Sequence, residues 1–215
     1  MKIRVWLLII SLLALCNLSM MMPADFGGGV LTGYEQDVKN IHNMILLQGR
    51  GEAEITRIVT WIGKYNRVMS MSMKQTIARE IWDMSLRYDN LSVDLICATI
   101  TWESALTWRP SVVSPVGAIG LMQIMPATGA VIARWKGVNN LSIIDLFDPI
   151  LNIQFGCRYL SYLIGLYNCT ERGLANYNGG PYQAKYYVTG DIRLCDETRY
   201  YVPNVLLLAE KFGAK

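Results

Sequence analysis

Apolar residues in this chain recur at helical spacing in one segment after another, and almost nowhere at the alternating spacing of a half-buried strand. The clearest case opens at Asp148-Pro149, an N-cap acid followed by proline at the first helical position. From there Ile150, Ile153, Cys157, Leu160, Leu163, Ile164 and Tyr167 fall on one side of a helix that ends near Tyr167. Stretches 34–48 and 53–66 are amphipathic in the same way, the second through Ile55, Ile58, Val59 and Ile62. Another pair spans 73–87 and 92–105, with Ser92 as N-cap and Asp94 in the first turn. A short helix over 171–177 stops at Asn178-Gly179-Gly180-Pro181, and a last helix spans 196–212 with Pro203 as a kink. The expected fold is all-α, one compact domain from about residue 70, with the 34–66 pair docked on it or extending it.

Composition narrows the function classes. An apolar fraction of 52% against 17% charged residues excludes a disordered chain. Net charge is +3, and Lys2 and Arg4 supply two of those units, leaving 18 basic against 17 acidic residues after position 24. A body this close to neutral gives no case for nucleic-acid binding. Residues 1–4 are basic, 5–15 are apolar or small, and a polar break follows, which is the order of an export signal over residues 1–24. Cleavage is expected after Ala24, with Ser19 as the second option. The alternative is an uncleaved anchor that holds the chain at a membrane. A span needs about 20 apolar residues, and Asn17 and Ser19 interrupt this one. The expected location is therefore exported, in the periplasm or cell envelope, and Gly-rich residues 25–33 read as a flexible lead-in. In such a compartment Cys169 and Cys195, both in polar turn-like sequence, are candidates for a disulfide. Cys97 and Cys157 lie in apolar helical patterns and read as buried thiols. No CxxC occurs and His42 is the only histidine, so no metal site and no cofactor is expected.

Three short stretches carry chemistry. Thr101-Trp102-Glu103-Ser104 puts a carboxylate at the negative end of an apolar helix beside Trp102. Dipole and desolvation both raise its pKa there, as a general acid requires. Standing alone, it is better described as a glutamate that merely ends a helix in solvent. Ser114-Pro-Val-Gly-Ala-Ile-Gly-Leu-Met-Gln-Ile-Met-Pro-Ala-Thr128 permits tight turns at Gly117 and Gly120. Met122, Gln123 and Met125 then offer apolar surface and one amide, which suits an N-acetyl sugar; a glycine-rich connector entering a core helix is the plainer reading. Ala175-Asn-Tyr-Asn-Gly-Gly-Pro181 brings a tyrosine and an asparagine to a sharp turn, or simply stops a helix.

Together and in this order, residues about 68–212 resemble the catalytic domain of the soluble lytic transglycosylases, the goose-lysozyme-like SLT family. The resemblance rests on Glu103-Ser104, the 114–128 stretch, Asp148-Pro149 with Asn152-Ile153, the 175–181 stretch and Glu197-Thr-Arg-Tyr-Tyr-Val202. With the export signal read above, the chain divides into a signal (1–24), a lead-in with helical extension (25–67), which lies outside the resemblance, and a catalytic domain (68–215). The resemblance implies a lysozyme-like helical fold and cleavage of the MurNAc–GlcNAc β-1,4 bond of peptidoglycan glycan strands. Glu103 would be the single catalytic acid and then base. Ser114, Gln123, Met125, Tyr177, Asn178 and Tyr201 would line the site. Two departures stand out: Tyr200 occupies a place where asparagine is common, and the segment between Glu103 and Ser114 is longer than usual. Ordinary glycosidases use two carboxylates, and here no acid occurs between Ser104 and Ile144. The acids at 145, 148, 191, 196 and 197 are accounted for by helix starts and turns. The expected product is therefore a 1,6-anhydromuramyl end. A hydrolase of the same fold and a non-catalytic wall-docking subunit are the alternatives, and wall turnover or service to a secretion, conjugation or phage apparatus are both open.

Overall fold

The computed structural model describes residues 28–214, except 136 and 139, with side chains described from residue 36 onward. The expected signal over 1–24 lies outside the described residues. Seven helices are labelled here: α1 (Gly28–Tyr65), α2 (Met71–Arg87), α3 (Val93–Glu103), α4 (Pro126–Trp135), α5 (Pro149–Tyr167), α6 (Thr170–Thr189) and α7 (Asp196–Gly213). A 3-10 turn over Ile143–Phe147 precedes α5. Among the described residues no strand forms, only isolated bridges joining Val113, Ile119 and Ile124. The all-α expectation holds.

Contacts divide the chain into two units, residues 1–50 and residues 51–215. In the first, helix α1 is exposed from residue 36 to residue 50 apart from the half-buried Ile41, and Val38, Met44, Ile45, Leu46 and Leu47 meet solvent. The second unit holds the core.

At the centre of that core is α3, buried from Leu95 through Thr101. This explains why its sequence is apolar on every side rather than along one stripe. Ser92 accepts the Leu95 N–H at 3.1 Å and so starts the helix where the sequence placed it. Helices α2 and α7 pack against α3, and α6 lies between α5 and α7. Ile58 and Ile62 of α1, Ile77 and Ile81 of α2, Leu160 of α5 and Val202 and Val205 of α7 complete the interior. Arg57 ties three elements together: it bonds Asp94 at 2.8 Å, the Phe212 carbonyl at 2.8 Å, and Glu54 on its own helix.

Three local expectations change. Stretches 34–48 and 53–66 form one helix, continuous through Gly49-Arg50-Gly51, and helical backbone begins at Gly28 within the expected flexible lead-in. Helix α6 does break at Gly180, whose φ of 81° is open to glycine, but it resumes past Pro181 and runs to Thr189. Helix α7 covers the expected range, with Pro203 inside it on its exposed side. The boundary drawn by resemblance at 67/68 is a different quantity from the packing boundary at Arg50/Gly51, because Ile55, Ile58, Trp61 and Ile62 belong to the core.

Candidate active site

Glu103 is the last residue of α3 and is half-buried. Its Oε1 accepts a hydrogen bond from the Tyr201 hydroxyl at 2.6 Å. Burial pushes the carboxyl up to about 7; the Tyr201 bond pulls it back down, and the charge of Glu197 adds a smaller upward push. Near neutral pH such a group holds its proton about half the time. Tyr201 is fully buried in α7, and its own hydroxyl is shifted upward, first by burial and then by the charge on Glu103.

Immediately after Glu103 the chain turns back on itself. Ala105, Leu106 and Trp108 all take left-handed backbone angles (φ of 50°, 62° and 51°), each costing about 1–2 kcal/mol for a residue with a Cβ. The turn is held by the Leu106 N–H on the Thr101 carbonyl at 2.8 Å and the Trp108 N–H on Ser104 Oγ at 3.0 Å. This is the longer segment that separates Glu103 from Ser114.

The glycine-containing loop over residues 112–125 is built differently. Ser114 closes its first turn: the Ala118 N–H donates to Ser114 Oγ at 3.0 Å, and the Ser114 N–H donates to the Ala118 carbonyl at 2.9 Å. Gly120 has a φ of 83°, and a Cβ there would sit 2.9 Å from the Leu146 carbonyl oxygen and run into the Asn152 amide. That amide is fully buried and pins the loop from below, donating to the Ile119 and Leu146 carbonyls (2.9 and 2.8 Å) and accepting the Met122 N–H at 2.8 Å. The Tyr177 hydroxyl donates to the Met122 carbonyl at 2.8 Å from α6. Burial raises the Tyr177 hydroxyl well above its ordinary range, with the Glu103 charge next in effect.

Of the residues the sequence singled out, the structure joins Glu103 to Tyr201 directly and Tyr177 to the loop. Asn178 donates to Glu197 Oε1 at 3.2 Å and accepts the Thr198 hydroxyl at 2.7 Å, linking α6 to the first turn of α7. Gln123 lies in the loop with its amide nitrogen donating to the Gly120 and Val112 carbonyls (2.8 and 3.3 Å), so its donors are engaged in loop structure. Met125 is exposed just before α4, whereas Met122, expected to face a ligand, is fully buried with its sulfur 3.9 Å from Cys157. Glu197 was assigned to a helix start; it sits in the first turn of α7 but also bears on Glu103. Sequence reading missed Asn152 as a loop anchor, although a polar residue beside Ile153 in an apolar run was a usable signal. Cys169 and Cys195 are free thiols, each on a different partner: Cys169 Sγ donates to Glu171 and Cys195 Sγ to Thr198, both at 3.3 Å.

The class these features define is the lysozyme-like helical domain, with a proton-holding carboxyl at the end of its central helix. Residues 80–191, just over half of the chain, match the Transglycosylase SLT domain family, and the chain belongs to that family. It is 32% identical over 169 residues to the soluble lytic murein transglycosylase of Escherichia coli strain K12, covering 66% of this chain and 26% of that protein. It is 36% identical over 97 residues to the transglycosylase of enterobacteria phage PRD1, covering 45% and 32% respectively. Among solved structures, an inactive glutamate-to-glutamine mutant of lytic transglycosylase Slt from Pseudomonas aeruginosa superposes with a TM-score of 0.54 at 33% identity, over 66% of this chain and 24% of that one. The soluble lytic transglycosylase SLT70 of Escherichia coli gives 0.52 at 28% identity, over 75% and 29%. The chain thus spans about a quarter of the length of the soluble relatives it matches. Among the described residues no helix is long and apolar enough to cross a membrane.

Proposed function

We propose that this chain is a peptidoglycan lytic transglycosylase, exported to the cell envelope, in which Glu103 works first as acid and then as base. The observation that carries the reading is the state of Glu103: a half-buried carboxyl, hydrogen-bonded by Tyr201, with its pKa pushed to about 7. Such a group can give up a proton and take one back at the same pH.

In the proposed sequence the Glu103 carboxyl proton passes to the bridging glycosidic oxygen as the C1–O bond of MurNAc breaks. The carbonyl oxygen of the substrate's N-acetyl group stabilises the cation at C1. The sugar's own 6-hydroxyl then bonds to C1 and its proton returns to the Glu103 carboxylate, so the enzyme is restored and no water is consumed. Tyr201 holds the carboxylate, and Tyr177 keeps the Met122 end of the loop against α6. Ser114, Gln123, Met125 and Asn178 line the substrate path. The resemblance supports their placing, and the hydrogen bonds described above fit loop-shaping roles for Ser114 and Gln123.

Mass spectrometry of muropeptides released from purified sacculi by the full chain tests this. Products lighter than the hydrated muropeptides by one water, lost in Glu103→Gln with turnover down about a thousandfold or more, are expected. Persistent cleavage by Glu103→Gln would remove the assignment. A hydrolase is the second reading, favoured by one observation, the charge of Glu197 acting on Glu103; products of full hydrated mass would select it.

A further inference from the structure

Thr101 lies two residues before Glu103 in the last turn of α3 and is fully buried. Its hydroxyl donates to the Cys97 carbonyl at 2.6 Å and accepts two indole N–H groups, Trp61 Nε1 at 3.0 Å and Trp108 Nε1 at 2.9 Å. One donor and two acceptor positions are the full capacity of a hydroxyl. The two indoles reach it from different directions along the chain. Trp108 ends the left-handed turn that follows Glu103, and its carbonyl is held by Asn66 Nδ2 at 3.2 Å. Trp61 comes from α1, outside the family match, and its ring meets Phe212 edge-on at 4.8 Å near the end of α7, the helix that carries Tyr201. The backbone on both sides of Glu103, and the helix bearing its hydrogen-bond partner, are therefore tied to one tryptophan.

Burial alone would account for a core tryptophan, but not for two indole donors meeting on the residue two positions before the carboxylate. We propose that Trp61 is a positioning residue for Glu103, acting through the Thr101 hydroxyl and Trp108 to fix the turn over residues 104–108. This rests on the reading of Glu103 as the acid. Without the Trp61 N–H, Thr101 loses one of its two donors and the strained turn relaxes. The carboxyl then drifts from Tyr201 and gains water. Glu197 of α7, the other group that acts on it, keeps its place, as does Tyr177 of α6, whose own hydroxyl feels the Glu103 charge.

Trp61→Phe keeps a ring against Phe212 and removes the N–H along with the second ring of the indole, so the Thr101 variants, which keep the indole, are run beside it. With the full chain acting on glycan strands solubilised from sacculi, kcat should fall about tenfold with KM nearly unchanged, since small misplacements of a catalytic group cost more than weak binding does. The alkaline limb of the pH–kcat profile should move to lower pH, because burial is the largest effect on this carboxyl and its loss outweighs the loss of the Tyr201 bond, which acts the other way. Thr101→Val should reproduce that displacement, and Thr101→Ser should restore the original limb. A Trp61→Phe protein with lower thermal stability but the original kcat and pH limb overturns the proposal, because the tryptophan is then only packing. Should Trp61→Phe fail to fold, the Thr101 pair decides in the same terms, and identical limbs in Val and Ser overturn it. Failure of the underlying reading looks different: Glu103→Gln would stay active whatever Trp61 does.

Discussion

Two turns flank the candidate site, and they solve the same problem by opposite means. The loop over 112–125 puts left-handed backbone on Gly117 and Gly120, where it costs little, and on a single residue with a Cβ, Gln123 (φ of 47°), and lets Asn152 fasten it from below. The turn after Glu103 puts the same backbone on Ala105, Leu106 and Trp108, where each instance is unfavourable, and relies on Thr101 and Ser104 to hold it. Only the second adjoins the carboxylate. A turn made of glycine would be easy to form and equally easy to deform. One made of strained residues exists only while its anchors hold, so its geometry is fixed with that of the helix end. The difference teaches that strained backbone is concentrated beside the Glu103 carboxyl, with three such residues against one in the loop, where glycine allows close approach.

That contrast can be broken by substitution. The largest expected effect is Gly120→Ala, which adds a Cβ against the Leu146 carbonyl at a backbone angle that excludes it; about 3–5 kcal/mol of stability should be lost, read by denaturant unfolding. Asn152→Ala leaves two carbonyls and one N–H without their buried partner and should cost about 2–4 kcal/mol, with the loop becoming protease-sensitive first. Ser104→Ala removes the hydroxyl that receives the Trp108 N–H and should cost about 1–2 kcal/mol while lowering turnover more than Ser114→Ala does. A loss confined to the Ser114 variant would reverse the comparison. The smallest effect has the opposite sign: Ala105→Gly relieves a left-handed alanine and should raise stability by about 0.5–1 kcal/mol, yet lower kcat, if strain there is a working part. A gain in both would show the strain to be incidental.

Glu103 adds a pH test. Its folded pKa of about 7 lies above the ordinary 4.5, so the folded protein binds this proton more tightly than the unfolded chain does. Stability from this group is fully present below about 4.5 and is lost as pH rises toward 7. Glu103→Gln should therefore be stabilised relative to the parent protein above pH 7, and the difference should vanish near pH 4. A difference in Tm independent of pH would contradict the raised value.

Helices α3 and α5 were legible at their starts, where Ser92 and Asp148 accept the N–H groups their positions predict. Helix α1 was read as two because Gly49 and Gly51 look like punctuation, a cost that the packing of Ile55, Ile58 and Ile62 overrides. Helix α4 went unassigned behind the glycine-rich loop. At the site, Glu103 could be picked out only because its stretch stands in order with the 114–128, 148–153, 175–181 and 197–202 stretches; helix end and tryptophan neighbour alone favour a plain helix end. The contacts of Trp61 and Asn152 depend on residues about 30–40 positions away meeting in space, as Trp61 does Thr101, and beyond one polar residue, Asn152, in an apolar run no local pattern carries that information.

The four described cysteines turn the fold into a clock. Cys195 is exposed and Cys169 partly so, while Cys97 and Cys157 are fully buried, with burial pushing both thiols far from the reactive thiolate. An alkylating reagent should consume two sulfhydryls at once and the other two only as fast as the interior opens. Cys97 sits inside the helix that ends at Glu103. Its labelling rate therefore counts how often the scaffold beneath the acid comes apart, in native buffer and without any substrate.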